Sequence, residues 1–337
     1  SKIMTMCLIY LLAGAFAVVS KATGGVDAVV SLGINTIDVA YFPLGIFLIA
    51  AFLSTATGTS VGAIVAIGPI AVNLANTSGA SLPLIAGALL GGSMLGDNLS
   101  MISDTTIAAT QSLGCELKDK FKINLFIAFP AAIITILVFF FLGLNSDILA
   151  VAIPKNSFEW ITIIPYVLVI VLALVGVNVF STLIIGTLLA GVIGYVGHHF
   201  TLLVFAQKIY EGFTSMTEIF LLSMLTGGLA AMVDKAGGID YILYQIKKRI
   251  KSKKSAQAGI GALVGFTNVA IANNTVSIVI TGGIAKEIND EYDLSSKKTA
   301  AILDIFSCVI QGILPYGAQV LLILSFADGK LDFMDLL

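Results

Sequence analysis

Asp97 and Asp104 bracket the run Gly96-Asp97-Asn98-Leu99-Ser100-Met101-Ile102-Ser103-Asp104-Thr105-Thr106, which follows the apolar stretch 82–95. A carboxylate in such surroundings costs about 2.5–3.5 kcal/mol near a bilayer centre, so it needs a compensating use. Ionised, it holds a small cation; when the cation leaves, a proton can replace it, because an uncompensated buried charge is costly. Two carboxylates seven residues apart therefore suit cation and proton exchange. Hydroxyl and amide oxygens are hard ligands that fit a sodium-sized cation. Thr57, Thr59 and Ser60 offer them in the first half of the chain, together with Asn98, Ser103 and Thr105. Asn273, Asn274, Thr275 and Gln311 do so in the second. Asp304 shares a helical face with Ser307 and Gln311 at spacings of three and four. Each of these residues also has a plainer use. Ser, Thr and Asn cap helices, and Asp104 reads as an N-cap for a helix through Leu113. Asp304 could pair with a lysine that the sequence does not single out. No other charge than these acidic ones is legible within the apolar segments.

The elements that would position these residues occur twice. Gly68-Pro69-Ile70-Ala71 recurs as Gly282-Gly283-Ile284-Ala285, an offset of 282 − 68 = 214, and the same offset pairs Ser93 with Ser307 and Asp97 with Gln311. In each copy two apolar arms flank a polar tip, residues 54–60 in the first and 273–275 in the second. The arms are shorter than the ~20 residues that a membrane crossing takes, so each pair reads as a re-entrant hairpin. A helix broken partway follows each hairpin, at 96–106 and again at 311–317, where Gly and Pro interrupt the hydrogen-bond ladder. Irregular backbone at that depth needs protein or a water-filled cavity around it. Paired, interrupted segments in corresponding halves point to a secondary transporter with its site near mid-membrane.

Composition agrees with a membrane location. The chain is 58% hydrophobic and 11% charged, beyond what a soluble surface tolerates. The stretches 3–19, 121–143, 160–176 and 179–196 each approach a bilayer span. The expected fold is all-α and polytopic, an inverted-repeat transporter with two re-entrant hairpins and two broken helices. The first repeat covers 1–145 and the second 158–337, each lacking terminal helices that its copy has, so a fragment of a longer protein is expected. Segments 202–213 and 239–250 read as amphipathic helices along the interface. Lys21 and Asp27 fall in a short loop after the first span. With re-entrant hairpins, only Lys21, Lys155, Lys208 and Lys330 of the 18 Lys and Arg residues lie opposite the other fourteen. That asymmetry exceeds the one given by fully crossing hairpins and assigns the Lys-rich loops 114–124, 235–255 and 286–298 to the cytoplasm. Five crossings then separate the span at 3–19 from its copy near 215–233, an odd number that inverts the halves. Three scattered cysteines and His198-His199, expected in an exposed loop without acidic neighbours, imply neither a disulfide framework nor a metal centre. An enzyme lacks a nucleophile with a base, and paired inverted sites favour a carrier over a passive channel.

Thr57-Gly58-Thr59-Ser60-Val61-Gly62, the block 96–106, and Asn273-Asn274-Thr275-Val276 followed by Gly282-Gly283-Ile284-Ala285-Lys286-Glu287 resemble the NhaC-type sodium/proton antiporters of the ion transporter superfamily. The resemblance runs over nearly the whole chain, and the Gly-Asp-Asn-Leu-Ser-Met-Ile-Ser-Asp-Thr-Thr block is its most specific part. It implies a prokaryotic inner-membrane carrier, working by alternating access, with sodium ions and protons as substrates and no cofactor. Asp97 and Asp104 are the expected sodium and proton ligands. Relatives that exchange malate, lactate or amino acids leave a sodium- and proton-coupled carrier of a small organic anion as the alternative. Beyond the lipid bilayer and these solutes no nucleic-acid partner is expected, and the resemblance allows a homodimer.

Overall fold

The computed structural model describes residues 2–36, 38–144, 159–175, 177–217 and 252–336, with scattered positions between 220 and 237. All regular elements among them are helical. The first half contains α1 (Lys2–Ala22), α2 (Gly25–Thr36), α3 (Phe42–Thr57), α4 (Ser60–Ser78), α5 (Leu82–Leu99), α6 (Asp104–Leu113) and α7 (Leu117–Leu144). The second contains α8 (Ile164–Val175), α9 (Val179–Val196), α10 (Leu202–Ser215), α11 (Lys253–Ile271), α12 (Asn274–Glu291), α13 (Ser296–Ile313) and α14 (Ala318–Phe326). At an offset of 214 the end of α3 meets the end of α11, and the starts of α4, α5 and α6 meet those of α12, α13 and α14.

Each hairpin tip contains two residues, fewer than the polar runs suggested, because one left-handed residue followed by one N-cap suffices to reverse the chain. Gly58 (φ 74°) ends α3 and donates its N–H to Ser54 O at 2.9 Å. Thr59 then caps α4, its hydroxyl accepting from Gly62 N at 3.2 Å. In the second half Ala272 (φ 55°) donates to Asn268 O at 2.7 Å, and Asn273 Oδ1 accepts from Val276 N at 3.0 Å. Glycine at 58 is doubly required, since a Cβ there would stand 2.8 Å from Ile102 O.

The hairpins are tied to the broken helices by matching bonds. Ser54 Oγ donates to Ser93 O at 2.6 Å, and Asn268 Nδ2 donates to Ser307 O at 2.7 Å, the same 214 positions on. The halves then interlock, with α6 packing against α12 and α14 against α4. This explains the repeated Gly68 and Gly282: a Cβ on the first would collide with the Phe326 ring, and on the second with Ser112. Along α7 only Lys120, Asn124 and Gly143 are buried, and Phe126 is 83% exposed. Such an apolar face suits lipid rather than water.

Several expectations change. Lys21 lies in the last turn of α1 and Asp27 in the first turn of α2, so the short loop expected there is a turn at Thr23 and Gly24 between two helices. The negative charge at the start of α2 complements the helix dipole. The breaks are also shorter than the sequence suggested. Helix α5 continues through Gly96 to Leu99, because a glycine there lets α5 lie directly on Ala51 O of α3 instead of ending the ladder. Helix α13 likewise includes Gln311 and ends at Ile313. The expected amphipathic segment 239–250, the basic cluster at 247–251 and most of the expected span 215–233 lie outside the described residues. Among the described residues, Leu82–Leu113, Leu117–Leu144 and Ser296–Phe326 are long and apolar enough to cross a membrane. A fourth span results if Leu8–Ala22 and Gly25–Leu32, bent by 63°, act as one.

Candidate functional site

Asp97 lies in the last turn of α5 and is 2% exposed. Its Oδ2 accepts from Ser60 Oγ at 2.7 Å and from Ser60 N at 3.4 Å, so the first residue of α4 holds one carboxylate oxygen in place. Its Oδ1 is buried without a hydrogen-bond partner. Ser60 Oγ also accepts from Gln319 Nε2 at 3.0 Å, and Gln319 Oε1 accepts from Gln311 Nε2 at 2.9 Å. Gln311 Nε2 donates again to Ala272 O at 3.0 Å, while its Oε1 is buried and unpaired. Asp97 and Gln311, equivalent positions of the two halves, thus end one hydrogen-bonded chain that joins both hairpin tips.

Asp104 is not the cap of α6. Ser103 takes that place, its Oγ accepting from Thr106 N at 3.3 Å and lying 3.1 Å from Thr105 Oγ1. A serine one residue earlier satisfies the free N–H and leaves the Asp104 carboxylate at the positive end of the helix. There it accepts from Thr105 N at 2.9 Å, with Thr275 of the second hairpin beside it. Asp97, Asp104 and Asp304 are close enough to interact electrostatically.

Asp304 differs because it has a counter-charge. Lys120 forms an ion pair with Asp304 Oδ2, and both side chains are fully buried. The same oxygen accepts from Asn98 Nδ2 at 3.0 Å and Asn124 Nδ2 at 2.9 Å. Lys120 Nζ completes its donations to Asn98 O at 2.9 Å and Thr106 Oγ1 at 2.6 Å. This corrects the reading that all buried charge is acidic and that 114–124 is a Lys-rich loop, for residues from Leu117 onward belong to α7 and Lys120 points inward. Lys118 and Lys122 disguised it as one of three interfacial anchors. The available signal was the spacing of Lys120 and Asn124, which puts two polar side chains on one face of an otherwise apolar helix.

The remaining candidates separate by use. Thr57 donates to Leu53 O at 2.7 Å within α3, and Thr59 and Asn273 spend their side-chain oxygens as caps. Asn274 Oδ1 accepts from Thr275 N at 3.0 Å. Asn98 joins the Asp304 cluster, Ser60 and Gln311 belong to the hydrogen-bonded chain that reaches Asp97, and Thr275 lies beside Asp104. Gln319, Asn124 and Lys120 were not singled out from sequence. His199 does have an acidic neighbour, with Nε2 3.5 Å from Glu159 Oε2, a contact across 40 positions of sequence (199 − 159).

The family model described as "Na+/H+ antiporter family" matches residues 1–144 and 144–335. The chain belongs to this family. Among its antiporter relatives is the malate-2H(+)/Na(+)-lactate antiporter of Bacillus subtilis (strain 168), 26% identical over 340 aligned positions that cover 92% of this chain and 72% of that protein. The Na(+)/H(+) antiporter NhaC of the same organism is 24% identical, covering 94% of this chain and 76% of its own length. The Alcanivorax borkumensis YdaH transporter is similar in fold, with a TM-score of 0.71 at 13% identity, covering 97% of this chain and 79% of that one. This antiporter-family chain is therefore an all-helical, multi-pass membrane protein with a transporter fold.

Proposed function

We propose that the protein exchanges sodium ions for protons by alternating access, with Asp97 and Asp104 as the competing sites. The observation that carries this reading is the free Asp97 Oδ1, a buried carboxylate oxygen with no partner, close to a second carboxylate, Asp104, whose Oδ1 accepts from Thr105 N. Lys120, the buried cation of the cluster, is committed to Asp304, which leaves Asp97 and Asp104 to be balanced by solutes. The two halves act as inverted repeats in a prokaryotic inner membrane, the hairpins entering from opposite sides. The connection 292–295 between α12 and α13, with the lysines of 286–298 around it, faces the cytoplasm. Cysteines placed at Ser78 and Ser255 should label from opposite sides; labelling from one side would refute the inversion.

The malate/lactate relative keeps a second reading in view, a carrier of small organic anions. A carboxylate substrate would need free donors, yet all three protons of Lys120 are engaged. The test is the full-length protein in proteoliposomes with a trapped pH dye. Sodium added without any organic acid should shift the internal pH. A response that waits for malate, lactate or an amino acid would replace cation exchange with organic-anion transport.

A further inference from the structure

The amides between the two hairpin tips can point only one way. The Ala272 carbonyl is an obligate acceptor, so the Gln311 atom that faces it at 3.0 Å must be Nε2. The other N–H of Gln311 then meets Gln319 Oε1 at 2.9 Å, which turns Gln319 Nε2 to Ser60 Oγ at 3.0 Å. Ser60, already accepting there, directs its own proton to Asp97 Oδ2 at 2.7 Å. Reversing Gln311 would set oxygen against oxygen, and reversing Gln319 would set its NH2 against that of Gln311. The outcome is two buried acceptors without donors, Gln311 Oε1 and Asp97 Oδ1, at equivalent positions of the two halves. Gly317 makes room for this arrangement, since a Cβ there would stand 3.1 Å from Gln311 Nε2.

We propose that Gln311 Oε1 is a ligand of the transported cation in the second half, and that Gln319 is a positioning residue that locks Gln311 with this oxygen free. The inference rests on the sodium/proton reading and divides the labour within it. A carboxylate takes either a cation or a proton, whereas a carboxamide oxygen takes a cation and stays unprotonated throughout the working pH range. Asp97 therefore hosts the competition between sodium and proton, and Gln311 acts on the cation alone. Losing the Gln311 oxygen should weaken sodium binding without moving the pH dependence measured at saturating sodium. A residue that only supported packing would not separate the two.

The test uses full-length Gln311→Met and Gln319→Leu proteins. In proteoliposomes the half-saturating sodium concentration should rise about 10–100-fold, the loss typical when a ligand or its support is removed. The sodium-to-lithium preference should change, and the pH profile at saturating sodium should stay in place. Gln311→Glu, which adds charge to the same oxygen, should lower the half-saturating concentration. Folded variants with the parent's half-saturation and ion preference overturn the inference. If the Met and Leu variants do not fold, the Glu variant decides, since an unchanged or raised half-saturation overturns it as well. A parent that moves no protons with sodium sinks the antiport reading itself. Sodium-dependent thermal stabilisation of the purified protein, lost in Gln311→Met, would still identify the ligand; stabilisation equal to the parent's would reject it.

Discussion

The two halves share a scaffold and differ in charge. Each has a hairpin whose first arm ends in a left-handed residue, a capped second arm, and a helix broken before a short segment that docks on the other half's hairpin. The first half places Asp97 and Asp104 on this scaffold, where the second has Gln311 and Ala318. Even the close helix contacts persist with their partners exchanged. Gly92 of α5 admits the backbone of Phe47 on α3 in the first half, whereas 214 positions on Gly261, on α11, faces Phe306 of α13. What repeats is the geometry that brings broken helix ends together. What does not repeat is the ionisable chemistry at these two positions. The second half brings its own carboxylate, Asp304, but neutralises it with Lys120.

The largest effect should come from removing the charge that distinguishes the halves. Asp97→Asn should reduce sodium-driven proton movement in proteoliposomes to that of protein-free vesicles; retained exchange would mean that the chemistry lies elsewhere. Lys120→Met should destabilise the protein by about 3–5 kcal/mol, because Asp304 would be left buried and unpaired. Lys120→Met with Asp304→Leu should recover most of that loss in a thermal-unfolding cycle in detergent and retain exchange, unlike Asp97→Asn. A double variant as inactive as Asp97→Asn would place Asp304 among the transport carboxylates. Overpacking the shared docking contacts comes next. Gly68→Leu and Gly282→Leu should each cost about 1–3 kcal/mol, with the first relieved by Phe326→Ala, as thermal unfolding would register.

Smaller still is the contrast at the tips. Ala272→Gly should stabilise by about 0.5–1 kcal/mol, the relief of a left-handed alanine less the added freedom of the unfolded chain. Gly58→Ala should destabilise, since the same strain is joined by contact with Ile102. The least effect is expected for Asp293→Asn. Lys253 holds that fully exposed carboxyl below its usual range by hydrogen bond and charge. Any stability it adds is therefore present above the ordinary carboxylate range and lost as pH falls through its lowered pKa. Solvent screening should keep the Asn variant's melting temperature at neutral pH equal to the parent's.

Much of the scaffold was legible in the chain. The offset of 214, the polar hairpin tips with their capping residues, and the polar run from Gly96 to Thr106 are local patterns, and local patterns fix helix ends and turns. Asp97 was legible for the same reason, as a charge inside an apolar run needs an explanation wherever it is found. Other features depended on neighbours that sequence does not order. Gly96 looks like a helix breaker until α3 is seen lying against it, and Asp104 looks like a cap until Ser103 is seen in that role. The sequence by itself determined the membrane class, the duplication and the candidate carboxylates, because hydropathy and spacing are properties of single segments. Only the tertiary structure decided which carboxylate carries a counter-charge and which keeps an oxygen without a partner. Lys120 reaches Asp304 across 184 positions (304 − 120), and Gln319 reaches Ser60 across 259, through the packing of helices from opposite halves.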